Sequence, residues 1–134
     1  MVAARSRGVP ACSEEVLVFR SHLSLLGAGV EGAVERLVAR VGYRAVGVEV
    51  VTLEEALEAL EAGARYARFD GVGPATLNGW VRVVKAGFPE ARVGASGGVT
   101  AENVADYARA GVDVVVTSAP FRALPLDFTT AMGR

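Results

Sequence analysis

The sequence predicts an α/β protein built on a parallel sheet. Three observations carry that expectation. Short runs of β-forming residues alternate with stretches of helical period along most of the chain. The links between them are short and carry glycine, as in successive βα units. Two of the units also share a pattern: Val51-Thr52 with Glu54 and Ala62-Gly63 is matched by Val99-Thr100 with Glu102 and Ala110-Gly111. That is an internal βα repeat of the kind barrel proteins show. At 134 residues, 51% of them hydrophobic, the chain is expected to form a single domain with a real core. Residues 1–12 are expected to be a loose arm, 13–118 the βα units and 119–134 a tail.

Taken in order, Glu15-Val-Leu-Val-Phe-Arg20 is a short strand, with Ser21-His22 at its C-terminal end. A loop holding Gly27 and Gly29 leads to a helix of about 30–41, whose stripe is Val30, Val34, Leu37, Val38 and Val41, with Gly42 as its C′ residue. Arg44 to Val51 is the second strand. Thr52-Leu-Glu-Glu55 is a capping box for a helix with Leu53, Ala56, Leu57 and Leu60 on one face, ended by Gly63. Tyr66 to Asp70 is a third strand. Gly71-Val-Gly-Pro74 turns into a helix of about 74–87, with the proline near its first turn. A strand at 91–96, a helix at 100–110 closed by Gly111 and a strand from Asp113 to Ser118 follow.

Net charge is −1 and there is no Lys/Arg block, so neither nucleic acid nor a membrane surface is expected as the main partner. One cysteine, Cys12, rules out an internal disulfide framework and a cysteine-rich metal site; it reads as an ordinary thiol. Residues 1–12 lack the apolar region of a signal peptide, and no apolar run reaches membrane-spanning length. A cytoplasmic protein is expected.

The chemistry concentrates at Arg92-Val-Gly-Ala-Ser-Gly-Gly-Val-Thr-Ala-Glu-Asn103. An apolar run ends in Ser96-Gly97-Gly98, and Thr100 stands as N-cap of the following helix. Strand, glycine turn and helix N-terminus together suit an anion: glycines let backbone N–H groups approach it, and the helix end adds partial positive charge. The same stretch also suits a tight βα turn with no ligand, and the residues alone leave both readings open.

Side chains alternate along a strand, so one parity shares a face. The parity of Glu49, Asp70 and Ser96 also gathers Val16, Val18 and Arg20, then Ala45 and Gly47, Tyr66 and Arg68, Arg92 and Gly94, and Val114, Val116 and Ser118. The opposite parity is mostly apolar and is expected to face the helices. Three arginines and two carboxylates do not belong in a dry core, so the first face is the candidate site, at the C-terminal ends of parallel strands. A structural pairing of Arg68 with Glu49 or Asp70 is the alternative. Gly71-Val-Gly-Pro-Ala-Thr76 lacks the third glycine of a dinucleotide fingerprint, and Trp80 sits at core spacing with Leu77, Val81 and Val84. His22 is the only histidine.

In their order, Arg20-Ser-His22, Val48-Glu49-Val50, Phe69-Asp70-Gly71, Ala95-Ser-Gly-Gly98 and Ala110-Gly-Val-Asp113 resemble the quinolinate phosphoribosyltransferase (nicotinate-nucleotide pyrophosphorylase) family. Ser13-Glu-Glu-Val-Leu-Val-Phe19 and Val116-Thr-Ser-Ala-Pro-Phe121, with Pro125 and Asp127, resemble its ModD molybdenum-transport branch. The resemblance covers about residues 13–128. It implies an incomplete TIM-like α/β barrel, and transfer of phosphoribose from phosphoribosyl pyrophosphate to a pyridine dicarboxylate, with loss of carbon dioxide and pyrophosphate. By the same resemblance, Glu49 and Asp70 serve the ribose and a Mg²⁺–pyrophosphate end. Ser96, Gly97 and Gly98 hold the 5′-phosphate, with Ser118 and Ala119 in a second phosphate loop. Arg20, His22 and Arg68 fall on the substrate side.

The sequence departs from the family pattern in several places. The lysine and acid before His22 are replaced by Arg20-Ser21, an asparagine by Gly71, and the glutamate before Ala-Ser-Gly-Gly by Gly94. The separate N-terminal domain and first barrel strand of the family have no counterpart here. Two function classes follow: an active phosphoribosyltransferase-like enzyme, or a non-catalytic barrel piece that binds a phosphorylated ligand or a partner chain. An open sheet would leave edges at 15–20 and 113–118. A homodimer or higher homo-oligomer is therefore expected, with the arm or the tail covering an edge.

Overall fold

Five short segments pair side by side, parallel, in the order in which they occur. The computed structural model describes residues 2–3, 15–27, 29–41, 45–131 and 133. A two-residue strand β1 (Val2–Ala3) pairs antiparallel with the last strand, while β2 (Glu15–Val18), β3 (Ala45–Val50), β4 (Tyr66–Asp70), β5 (Arg92–Ser96) and β6 (Val114–Thr117) run parallel. The sheet order is β1-β6-β5-β4-β3-β2. Helices α2 (Val30–Val41), α3 (Leu53–Glu61), α4 (Pro74–Gly87) and α5 (Val104–Arg109) fill the crossovers; α1 (Arg20–Leu26) precedes α2 in the first of them, and α6 (Ala119–Arg122) follows β6.

Right-handed crossovers between consecutive neighbours put the intervening helices on one face of the sheet. The core agrees: Val46, Val48, Val50, Phe69, Val93 and Ala95 pack with Val34, Leu60, Leu77, Val81 and Val84. Phe69 and Leu77 are fully buried, which contributes about 2–3 kcal/mol each relative to exposure. Trp80 packs against this core as expected, its ring 5.3 Å from that of Phe69. Thr52 caps α3 by accepting from the Glu55 N–H at 3.2 Å, and the Glu55 carboxylate returns to the Val51 N–H at 2.8 Å. The architecture is thus the predicted α/β arrangement of parallel βα units, and no helix among the described residues is long and apolar enough to cross a membrane.

Four expectations are corrected. Residues 20–26 form helix α1, so Arg20 and His22 are helical and do not extend the first strand. The parity of β2 is shifted by one: Leu17 stands opposite Gly47 and Val18 opposite Val48, so Leu17 and Phe19 join the polar face in place of Val16, Val18 and Arg20. Helix α5 begins at Val104, capped at Asn103, instead of at Thr100. The segment after β6 opens with the short helix α6. Cys12 and Gly42 lie outside the described residues, as does most of the arm.

The polar face has a filled floor. Tyr66 is buried and lies across the strands on both sides: a Cβ placed at Gly94 would meet the Tyr66 hydroxyl at 2.1 Å, and one at Gly47 would meet its Cδ1 at 2.7 Å. Gly94→Ala is therefore expected to lower stability by about 1–3 kcal/mol in urea unfolding, as overpacking does. A loss within error of zero would show that Tyr66 moves aside freely.

Candidate functional site

Above Tyr66 the face becomes charged. Parallel register places Glu49 beside Arg68, and Asp70 beside Ser96. Arg68 is 3% exposed and donates from NH2 to Glu49 Oε2. Its guanidinium carbon also sits 5.1 Å from the centroid of the Phe19 ring, which the shifted parity of β2 brings to this face. Arg68 Nε is buried without a hydrogen-bond partner among the described residues. One turn higher, Ser96 Oγ donates to Asp70 Oδ1 at 2.7 Å.

The loops that follow β4 and β5 are tied together, because the Gly71 N–H donates to the Ser96 carbonyl at 2.8 Å. Gly97 and Gly98 take φ of +77° and +82°, a region that side chains disfavour. A Cβ on Gly97 would lie 2.6 Å from Gly71 N and 2.9 Å from Asp70 Oδ1. Two requirements, conformation and close approach, thus select glycine at 97.

The helix behind this turn does not contribute as expected. Asn103 Oδ1 accepts from the Thr100 N–H at 2.8 Å, and its Nδ2 donates to the Gly98 carbonyl at 2.9 Å. That local turn postpones α5 and occupies the N–H expected to face an anion. The Thr100 hydroxyl goes to Glu102 and, with a backbone N–H, holds that carboxyl below its ordinary pKa. Any anion at 96–98 would therefore rest on the backbone of the glycine turn, with α5 contributing little and the Ser96 hydroxyl given to Asp70.

A cleft of about 350 Å³ opens beside this turn, lined by Arg68, Asp70, Ser96, Gly97, Val116, Thr117 and Ser118. Five sequence-predicted site residues, Arg68, Asp70, Ser96, Gly97 and Ser118, thus meet in one place. Glu49 touches it through Arg68. Ser118 Oγ accepts from Arg122 at 2.9 Å, while the Ala119 N–H is already engaged by Thr117 Oγ1 at 3.1 Å. Thr117, which the sequence reading passed over, joins the two loops by donating to the Val99 carbonyl at 2.6 Å. A threonine at a strand end carries no signal that separates it from ordinary β-formers.

Arg20 and His22 are not brought to this cleft. Arg20 donates from NH1 to both oxygens of Glu55, at 3.1 and 3.2 Å. His22 Nδ1 accepts from the Phe19 N–H at 3.1 Å, reaching back as the third residue of a helix does. Its ring lines a separate apolar groove with Val16, Leu17, Val18, Leu25, Leu26 and Leu37.

The family model for the quinolinate phosphoribosyl transferase C-terminal domain matches residues 11–130. The chain belongs to this family. It is 36% identical over 116 residues to the carboxylating nicotinate-nucleotide pyrophosphorylase of Rattus norvegicus, covering 85% of this chain and 38% of that protein. It is 25% identical over 123 residues to the ModD protein of Escherichia coli O157:H7, covering 90% of this chain and 43% of that one. Among solved structures, the nicotinate-nucleotide pyrophosphorylase of Francisella tularensis superposes with a TM-score of 0.68 at 21% identity, over 78% of this chain and 36% of that one, which shows the shared fold. The chain therefore spans about two fifths of the length of the curated relatives it matches.

Membership makes a divalent ion with a pyrophosphate group an expectation to test against the side chains. Among the described residues no three His, Cys, Asp or Glu side chains come together as a metal site. Glu49 is neutralised by Arg68, which leaves Asp70 as the carboxylate lining the cleft. One carboxylate beside a buried guanidinium does not fit a resident divalent ion.

Proposed function

We propose that this chain is a phosphoribosyltransferase-like protein that holds a phosphorylated ribose in the cleft at the C-terminal ends of β4, β5 and β6. One observation carries the reading: Asp70, Ser96, Gly97 and Ser118 converge on that cleft, with the Asp70–Ser96 hydrogen bond and the Gly71–Ser96 link fixing the turn. The backbone N–H groups of Gly97 and Gly98 would take the 5′-phosphate, while the Ser96 hydroxyl stays on Asp70 and holds the turn. Asp70 is a hydrogen-bond acceptor suited to ribose hydroxyls. Ser118 closes the far side, and its partner Arg122 brings positive charge to the rim. In the transfer, the nitrogen of a pyridine dicarboxylate would bond to the ribose C1 as the C1–O bond to pyrophosphate breaks. The bonding pair of C1–O would leave with the pyrophosphate, and the ring carbon that loses carbon dioxide would keep the pair of the broken C–C bond and take up a proton from water.

The test is incubation of the purified chain with quinolinate and phosphoribosyl pyrophosphate, with nicotinate mononucleotide expected as the product. A second reading is favoured by the Arg68–Glu49 pair, which engages a carboxylate the reaction would use, and by the share of the relatives' length spanned. In that reading the same cleft binds a phosphorylated ligand without turnover. Binding of ribose 5-phosphate with no product under any acceptor selects it. Self-association of the chain as a homodimer belongs to either reading.

A further inference from the structure

We propose that Arg68, in the role a divalent ion would otherwise fill, holds a second anionic group of the ligand in this cleft. The inference rests on the phosphate reading above, which assigns the first group to residues 96–98. Its observations are separate. Arg68 is almost wholly buried, lines the cleft, and keeps Nε without a partner among the described residues. Buried donors are nearly always satisfied, so an unpartnered Nε on a residue that lines the cleft calls for an acceptor. The rest of the guanidinium is held in place: NH2 donates to Glu49, and the Phe19 ring lies 5.1 Å from its centre. Rotation of the group is thereby limited, and Nε is presented in one orientation.

Charge leads to the same ligand class. Glu49 and Arg68 cancel each other, so the pair can stay buried with the cleft empty. An entering phosphoryl group would share the guanidinium with Glu49 through charge-assisted hydrogen bonds, for which the arginine fork is suited. Arg68 lies opposite Gly94 and Asp70 opposite Ser96, so Arg68 is two residues deeper than Ser96, about 7 Å along the strands. The ligand class is thus a sugar carrying two phosphoryl groups separated by roughly the width of its ring, bound without a divalent ion.

Calorimetry with two sugars isolates the second group: ribose 5-phosphate and ribose 1,5-bisphosphate, each in EDTA and in Mg²⁺. The parent chain is expected to prefer the bisphosphate by about ten-fold or more in EDTA, with little change on adding Mg²⁺. Arg68→Gln should abolish that preference and leave ribose 5-phosphate affinity within about two-fold. Because Arg68→Gln strands Glu49, the test is repeated with Arg68→Lys, which keeps the charge and loses the fork; it too should lose most of the preference. Thermal unfolding by circular dichroism establishes that each variant is folded. A preference retained in both folded variants, or one that requires Mg²⁺ in the parent, overturns this proposal alone. Failure of the parent to bind either sugar overturns the phosphate reading and this inference together.

Discussion

Gly97→Ala is expected to abolish binding of ribose 5-phosphate and to cost the fold about 3 kcal/mol. Two effects add at this position. An alanine held at φ +77° carries left-handed strain of roughly 1–2 kcal/mol. Its Cβ would also sit 2.6 Å from Gly71 N and 3.0 Å from Gly71 Cα, and backbone atoms cannot rotate away as a side-chain end can. The displaced N–H is the one that donates to the Ser96 carbonyl at 2.8 Å, so the substitution separates the loops after β4 and β5. Gly98→Ala supplies the control. It has φ +82° with nothing within 4 Å of its Cβ, so it carries the strain alone. Urea unfolding of the two variants should differ by about 1–2 kcal/mol, with Gly97→Ala the less stable. Equal losses would show that the loop after β4 yields without cost, and intact sugar binding in Gly97→Ala would place the phosphate elsewhere.

What the residues revealed beforehand depended on how strongly each pattern was written. Helix α4 was legible to the residue, because Pro74 opens it and Leu77, Val81 and Val84 keep one stripe. Strands β3, β4 and β5 alternate clearly enough that their polar face, with Glu49, Arg68, Asp70 and Ser96, was assigned correctly from parity. Strand β2 has no such alternation: Val16, Leu17, Val18 and Phe19 are all apolar, so its register emerges only from pairing with β3. The same ambiguity hid Phe19 as the ring against Arg68. Helix α1 has seven residues and buries none of them, which leaves no stripe to read. The start of α5 was misplaced by a single side chain. Thr52 and Thr100 each precede a Glu two residues later, but the third position holds Glu55 in one unit and Asn103 in the other. Glu55 reaches back to Val51 and lets α3 begin; the shorter Asn103 folds onto Thr100 and Gly98 and delays α5. The Arg68–Glu49 pair was weighed from the sequence, whereas the unpartnered Nε depends on three-dimensional packing that no spacing encodes.

Static light scattering at tens of micromolar chain is expected to return twice the 13.9 kDa of one chain. The reason is apolar surface left in water. Leu25 is 85% exposed and borders the groove along β2, the edge strand without a neighbour on its outer side among the described residues. At the other end of the sheet β1 covers β6 only at Val116 and Thr117, and beyond it Leu124, Leu126 and Phe128 are 88%, 78% and 90% exposed. Large apolar side chains left this exposed at both ends of the sheet mark interaction sites. Burying those four side chains between two copies would contribute about 1.5–3 kcal/mol each, against an association cost of at least roughly 4 kcal/mol. The balance favours a two-fold dimer. Leu25→Glu and Leu126→Glu place a charge at one of these exposed ends each, where neither side chain belongs to the core, so each should give monomers without loss of fold. Because the groove contains His22 but none of the cleft residues, the monomeric variants should bind ribose 5-phosphate as the parent does. A mass that stays at 13.9 kDa for the parent as concentration rises would defeat the dimer and leave the exposed tail to fold back on its own chain.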